Sequence, residues 1–251
     1  LSLTDRPAET RVGRAVFDRL GDATAAAADL VGTGVDLSAL ELVDEMSARM
    51  VNEYIGSSLA EGPTLFLELQ ADHGLDVEAA SCRSVLSAHD PVTVTLEEGT
   101  DEDPLWKPRR ELADAVQAYY PDRRSLHSGD VAVPLGSLSA IVEHIHDLSA
   151  AHDVPIPTFG HAGDGNVHFD VLVDPDDDDA VAEAADIYDS IVTRGIELGG
   201  TATGEHGIGR EKREFLPVEH GEAGVEAMRA IKTALDPTGT LNPGKVFPAT
   251  E

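Results

Sequence analysis

Short apolar runs recur along this chain, and stretches of helical period separate them. Residues 64–70 (TLFLELQ) and 91–96 (PVTVTL) read as strands, the second with Val92, Val94 and Leu96 in alternation. Residues 130–134 (DVAVP) read as a third strand, and 156–159 and 166–173 as two short ones around a Gly-rich turn. Residues 35–42 read as the start of a further strand. The intervening helices are expected at 44–54, ending before Gly56; at 76–89, with Asp76 as cap; and at 138–151, with Ser137 as cap. Others are expected at 101–119, interrupted at Pro104 and Pro108, at 180–198 behind the acidic run 176–179, and at 219–235. Residues 11–31 read mostly as helix, with a break near Gly21-Asp22. Such an order excludes a βαβ repeat of one size. It points to an α+β fold: an antiparallel sheet with helices on one face, and a helical tail. No internal sequence repeat is visible. No GxGxxG follows a strand, and Gly207-Ile208-Gly209 is too short for a dinucleotide fingerprint.

The 251 residues suffice for one large domain or two small ones, and 41% of them are apolar. Charge sets the chain apart: 18 Lys+Arg against 47 Asp+Glu give a formal net charge of -29. The acids are spread from end to end, so they mark no single patch for a basic partner. The regular apolar segments argue against disorder. The reading that remains is adaptation to a salt-rich, halophilic cytoplasm, where self-repulsion is screened. Nucleic acid is not an expected partner, because its phosphates would be repelled. The single cysteine, Cys82, allows no internal disulfide and suits a reducing cytosol. No apolar run approaches the ~20 residues of a membrane span, and no signal peptide is visible. The chain begins at Leu1, so it is expected to be processed or to be a piece of a longer protein.

Two segments carry candidate chemistry. FGHAGDGNVHFD (159–170) holds His161 and His168 on either side of Asp164-Gly165. A tight turn there would face two imidazoles toward each other, which is half a metal site. The plain alternative is a Gly-rich turn with two incidental histidines. GGTATGEHGIGREK (199–212) places Glu205 beside His206 among glycines. Glu205 could be a carboxylate ligand, and two His with one carboxylate suit zinc, manganese or iron. His206 would point away from it and could act as a general base. Arg109, after Trp106, could clamp a carboxylate or simply lie at the surface. Asp164 reads as a turn former, His144, His146 and His152 as surface residues, and Cys82 as a small buried side chain.

These segments, in order, resemble a known family. ALELVDE (39–45), LWKPRR (105–110), DVAVP (130–134), FGHAGDGNVH (159–168), TGEHGIGREK (203–212) and LDPTGTLNPGKVF (235–247) are similar to the C-terminal portion of FAD-linked oxidases. These are of the D-lactate dehydrogenase, glycolate oxidase and D-2-hydroxyglutarate dehydrogenase type. The resemblance implies a ferredoxin-like α+β substrate-binding cap over residues 1–200, and a C-terminal segment over 201–251 with the catalytic loop, helices and a flavin-facing tail. It implies an N-terminal FAD-binding domain that is not in this sequence. It implies a divalent metal, zinc or similar, on His161, His168 and Glu205. His206 would then be the catalytic base, Arg109 the partner of the substrate carboxylate, and Asn242 a residue lying toward FAD. Two positions depart from the hydroxyglutarate branch: Ser128 stands where a lysine is expected, and Asp170 where an asparagine is. Both lean away from a dicarboxylate and toward D-lactate or glycolate.

The expected reaction is oxidation of a small 2-hydroxy acid to a 2-oxo acid by hydride transfer to the flavin, with electrons leaving for an unidentified acceptor that could tie the protein to a membrane. A homo-oligomer is compatible with the sequence. The chain alone is expected to be inactive and to lack bound FAD. Two rival readings use the same ligands: a metal-dependent hydrolase, and a non-catalytic module stabilised by its metal.

Overall fold

The computed structural model describes residues 7–57, 60–99 and 104–247. Seven strands form one sheet: β1 (Glu9–Val16), β2 (Leu37–Val43), β3 (Thr64–Ala71), β4 (Thr93–Glu98), β5 (Arg124–Ala132), β6 (Thr158–His161) and β7 (Asn166–Val173). Their order is β4-β1-β3-β2-β6-β7-β5, and every neighbouring pair is antiparallel. The helices are α1 (Leu20–Thr33), α2 (Glu45–Ile55), α3 (Leu75–Ser87), α4 (Lys107–Arg110), α5 (Leu112–Tyr119), α6 (Leu138–His152), α7 (Asp178–Glu197) and α8 (Leu216–Leu235). The fold is α+β, with an antiparallel sheet, flanking helices and a C-terminal helical region.

The strand order contains a duplication that the sequence hides. The first four strands stand in the order 4-1-3-2, the ferredoxin-like arrangement. The last three, with a bridge from Ala132 to Thr201 as a fourth rung, give the same order reversed. The two halves meet edge to edge where β2 pairs with β6, through Glu41 with His161, Leu42 with Gly160 and Val43 with Phe159.

Strand alternation sorts the side chains onto two faces. Leu65, Leu67 and Leu69 of β3 are fully buried in a large core with Ala23, Ala26, Ala27 and Leu30 of α1, Ile141 and Ile145 of α6, and Ile187 and Ile191 of α7. The intervening Phe66 joins a smaller core on the opposite face, with Met50 and Val51 of α2 and Leu112, Ala115 and Val116 of α5. Helices therefore cover both faces, not one as the segment order suggested. The difference comes from α2, which follows β2 in the first half. Asp44 caps it by accepting from the Ser47 N–H at 2.7 Å, and Gly56 ends it in the left-handed conformation. In the second half, β6 returns to β7 through a short turn with no helix. That half keeps part of its second face open, and the site lies there.

Several sequence expectations need correction. Residues 9–16 form a strand, β1, and not the start of a helix. Val12, Ala15 and Val16 look equally apolar in either period, and what decides is that β1 pairs with both β3 and β4. The cap of α3 is Gly74, while Asp76 sits in the first turn and pairs with Arg11. Strand β5 also begins at Arg124, six residues before the DVAVP run. Of the helix expected at 101–119, residues 101–103 lie outside the described residues; the rest forms a short 3-10 turn, α4 and α5.

Candidate metal and substrate site

The turn between β6 and β7 is built by two residues. Gly165 has φ +78, and a Cβ there would stand 2.1 Å from the Val133 carbonyl oxygen. Asp164 accepts from the Asn166 N–H at 3.1 Å, as a turn former does. The register then pairs His161 with Asn166 and Phe159 with His168, so both histidines project from the open face. Their rings lie edge to face, 5.2 Å apart.

The segment after α7 brings the third residue. Thr201 pairs with Ala132, and the loop then crosses the end of β7. A Cβ on Gly204 would lie 2.4 Å from the Asn166 side chain, so glycine allows this approach. The loop is held by Asp130, which is fully buried on β5. Its carboxylate accepts from the Thr203 hydroxyl at 2.8 Å, the Gly204 N–H at 3.1 Å, the Glu205 N–H at 3.1 Å and the His206 N–H at 2.8 Å. Buried Lys212 adds an ammonium 3.4 Å away. Burial alone would raise the Asp130 pKa, but these donors outweigh it and hold the carboxyl well below the usual carboxylate range. For Lys212, burial holds the ammonium below its ordinary value, with Asp130 pulling the other way.

The outcome is a convergent cluster. Glu205 Oε1 lies 3.1 Å from His168 Nε2 and 3.6 Å from His161 Nε2, and the three residues offer ligand atoms all within 4.8 Å of one another. Ligand atoms arranged tetrahedrally around one zinc lie about 3.3 Å apart, so the donor set fits such an ion in type and spacing. The environment prepares the imidazoles differently. Burial and the neighbouring His161 lower the His168 pKa, which favours the neutral ligand form. For His161, the hydrogen bond to Glu41 raises the pKa against burial. Glu41 Oε1 is 2.7 Å from His161 Nδ1, and its other oxygen accepts from Arg109 Nε at 3.0 Å and Nη2 at 2.8 Å.

Arg109 reaches this point because Trp106 is buried against Phe66, ring centroids 5.9 Å apart, with α4 starting immediately after it. Its guanidinium lies 5.6 Å from the Phe159 ring centroid. His206 is half exposed and stacks on His168 at 5.5 Å. Its Nε2 is 3.6 Å from Glu205 Oε1, and its Nδ1 is 3.9 Å from Asp130 Oδ2. A cleft of about 690 Å³ opens from this cluster, lined by Arg109, Phe159, His161, His168, Glu205 and His206 at one end and by Tyr120, Arg123 and Arg124 at the other.

The structure thus gathers His161, His168, Glu205, His206 and Arg109 in one place. Asn242 is not among the cleft residues. It sits exposed in a turn at φ +47, on a tail tied to the site loop by the Val246 N–H to the Gly209 carbonyl at 2.7 Å. Ser128 and Asp170, the two departures from the hydroxyglutarate branch, face each other across β5 and β7, and the Ser128 hydroxyl is 3.3 Å from Asp170 Oδ1. Burial raises the Asp170 pKa against hydrogen bonds from Ser125 and Ser128. Sequence reasoning assigned no role to Glu41, Asp130 or Lys212. A carboxylate inside the apolar run ALELV was the available signal for Glu41. Asp130 heading DVAVP was a weaker one, since a strand often starts on a polar residue. Of the histidines along α6, His146 binds buried Asp44 at 3.1 Å.

Fold and site together define an α+β domain with a His–His–Glu donor cluster at the head of an open, arginine-lined cleft. The chain belongs to the family described as FAD linked oxidases, C-terminal domain, which matches residues 6–246. It is 31% identical over 243 residues to the probable mitochondrial D-lactate dehydrogenase of Danio rerio, covering 94% of this chain and 48% of that protein. It is 28% identical over 251 residues to the glycolate oxidase subunit GlcD of Bacillus subtilis, covering 98% and 53%. The chain spans about half the length of the curated relatives it matches. Among solved structures, 4-ethylphenol oxidase from Gulosibacter chungangensis shares the fold with a TM-score of 0.70 at 16% identity, covering 98% of this chain and 55% of that one. p-Cresol methylhydroxylase does so with a TM-score of 0.71 at 10% identity, covering 96% and 53%. Among the described residues, no helix is long and apolar enough to cross a membrane.

Proposed function

We propose that this chain is the substrate- and metal-binding part of an FAD-dependent dehydrogenase for D-2-hydroxy acids, with D-lactate or glycolate as substrate. The observation that carries the reading is the convergence of His161, His168 and Glu205 beside His206 and Arg109 in one cleft. The relatives named for D-lactate and glycolate oxidation support the substrate class. The Ser128–Asp170 pair supports a monocarboxylate, because it places no cation opposite a second substrate carboxylate at that point of the cleft.

His161, His168 and Glu205 would hold the divalent ion, zinc by donor type. The fit to a flavin is partial: the half-exposed His206 beside the open cleft would face it, and a separate FAD-binding domain would hold it. When bound, the ion supplies Lewis acidity toward the 2-hydroxyl and carboxylate oxygens, and the flavin supplies a hydride acceptor. Arg109 orients the substrate carboxylate with the part of its guanidinium that Glu41 leaves available. His206 takes the hydroxyl proton at Nε2, the nitrogen turned toward the cluster, and Asp130 near Nδ1 stabilises the imidazolium that forms. Asn242, on the tail tied to the site loop, would be a flavin contact.

Anaerobic mixing tests this reading in the protein that joins this chain to its flavin domain. D-lactate or glycolate is expected to bleach the flavin, and L-lactate to leave it oxidised. No reduction by any 2-hydroxy acid would sink the proposal.

A further inference from the structure

The carboxylate of Glu41 touches both chemical ends of the site. It stands on β2, at the seam between the halves, directly across from His161. Its side chain is only 11% exposed. A carboxylate buried to that degree is costly unless its oxygens are paired, and here both are. Oε1 meets His161 Nδ1 at 2.7 Å, and Oε2 takes two donors from Arg109. An Arg109–Glu41 pair alone would satisfy the charge balance, so the bond to His161 has a separate consequence. With Nδ1–H donated to Glu41, the His161 lone pair is at Nε2, the atom 3.6 Å from Glu205 Oε1. An imidazole ligand is fixed in this way when a carboxylate takes its second nitrogen.

We infer that Glu41 is a positioning residue shared by the two halves of the site: one oxygen sets His161 as an Nε2 ligand, and the other holds Arg109 where a substrate carboxylate arrives. The inference rests on the proposal that the cluster holds a divalent ion. It assigns Glu41 no contact with substrate. It makes the ion site and the carboxylate site mechanically linked, because moving either His161 or Arg109 moves the group that holds the other. It also gives the edge-to-edge joint of the halves a role, since the Glu41–His161 bond crosses that joint.

The test is zinc titration of the chain against a chromophoric chelator, for wild type and Glu41→Gln, with circular dichroism to confirm the fold. Zinc affinity should fall about 10- to 100-fold in the variant. In the zinc-loaded chain, the affinity for glycolate, a small monocarboxylate probe, should fall as well. In nitrogen-15 spectra of the zinc-loaded wild type, His161 should show a protected Nδ1 proton with the metal shift on Nε2, a readout that stands even if the variant does not fold. Zinc on Nδ1 of His161, or a zinc affinity of Glu41→Gln within twofold of wild type, would overturn the inference while leaving the metal site intact. Unchanged glycolate affinity would overturn the shared role. A wild-type chain that takes no zinc would overturn the metal reading and this inference with it.

Discussion

Flavin reduction by D-lactate should slow by about 10²- to 10⁴-fold when His206 is replaced by Asn, with metal content unchanged. Asn keeps the size and some of the polarity of the ring but cannot take a proton at neutral pH. The separation of the two readouts follows from geometry. His206 approaches Glu205 Oε1 at 3.6 Å, yet the donor cluster closes through His161, His168 and Glu205 without it. The loop holds its shape through the His206 backbone N–H, which Asn retains, at 2.8 Å from Asp130. The measurement is stopped-flow flavin bleaching beside elemental analysis, in the protein carrying this chain and its flavin domain. Reduction at the wild-type rate would remove His206 from the chemistry.

Asp130→Asn should destabilise the domain by about 3–5 kcal/mol, because it removes one partner of a buried ion pair and leaves Lys212 uncompensated. An amide also cannot accept all four donors that now converge on the carboxylate, and its NH2 would face one of them. The pH dependence has a defined sign. The folded carboxyl lies far below its unfolded value, so its contribution is present above the unfolded carboxylate range and is lost only as pH falls through the folded value. The gap between wild type and variant should therefore persist from neutral pH down to about pH 5 and close only in stronger acid. Denaturant unfolding at several pH values measures it. A gap under about 1 kcal/mol at pH 7 would show that water or the chain reorganises around the amide.

Much of this site could be read from the sequence because its elements are local. His161 and His168 flank a turn whose Asp-Gly pair fixes the register, so their facing was legible from the eight residues 161–168. Glu205 and His206 stood out as ionisable residues in a Gly-rich loop. What was not legible depends on long-range pairing. Glu41 meets His161 only because β2 and β6 join the two halves, 120 residues apart in sequence. Asp130 meets the 203–206 loop only because that loop returns beside β5. The strand β1 is illegible for the same reason: Val12 and Ala15 carry no period of their own that separates helix from strand, and their burial is set by β3 and β4. The duplicated strand order leaves no trace in the sequence, because the two halves share a path and not a set of side chains.

Asp130 and Glu41 also explain how the loop and the turn, drawn from different parts of the chain, are held together. Each is a buried carboxylate whose donors come from a distant segment, which is how a sheet with ordinary strands can present a preorganised cluster on an open face.

The divalent ion proposed on His161, His168 and Glu205 is what everything else at the site depends on. Elemental analysis of the zinc-reconstituted chain, joined to an anomalous difference map, tests this directly. One ion per chain is expected, bonded at about 2.0–2.2 Å to His161 Nε2, His168 Nε2 and a Glu205 oxygen, and lost in His168→Ala. A substoichiometric ion, a peak elsewhere, or full occupancy retained in His168→Ala would contradict it.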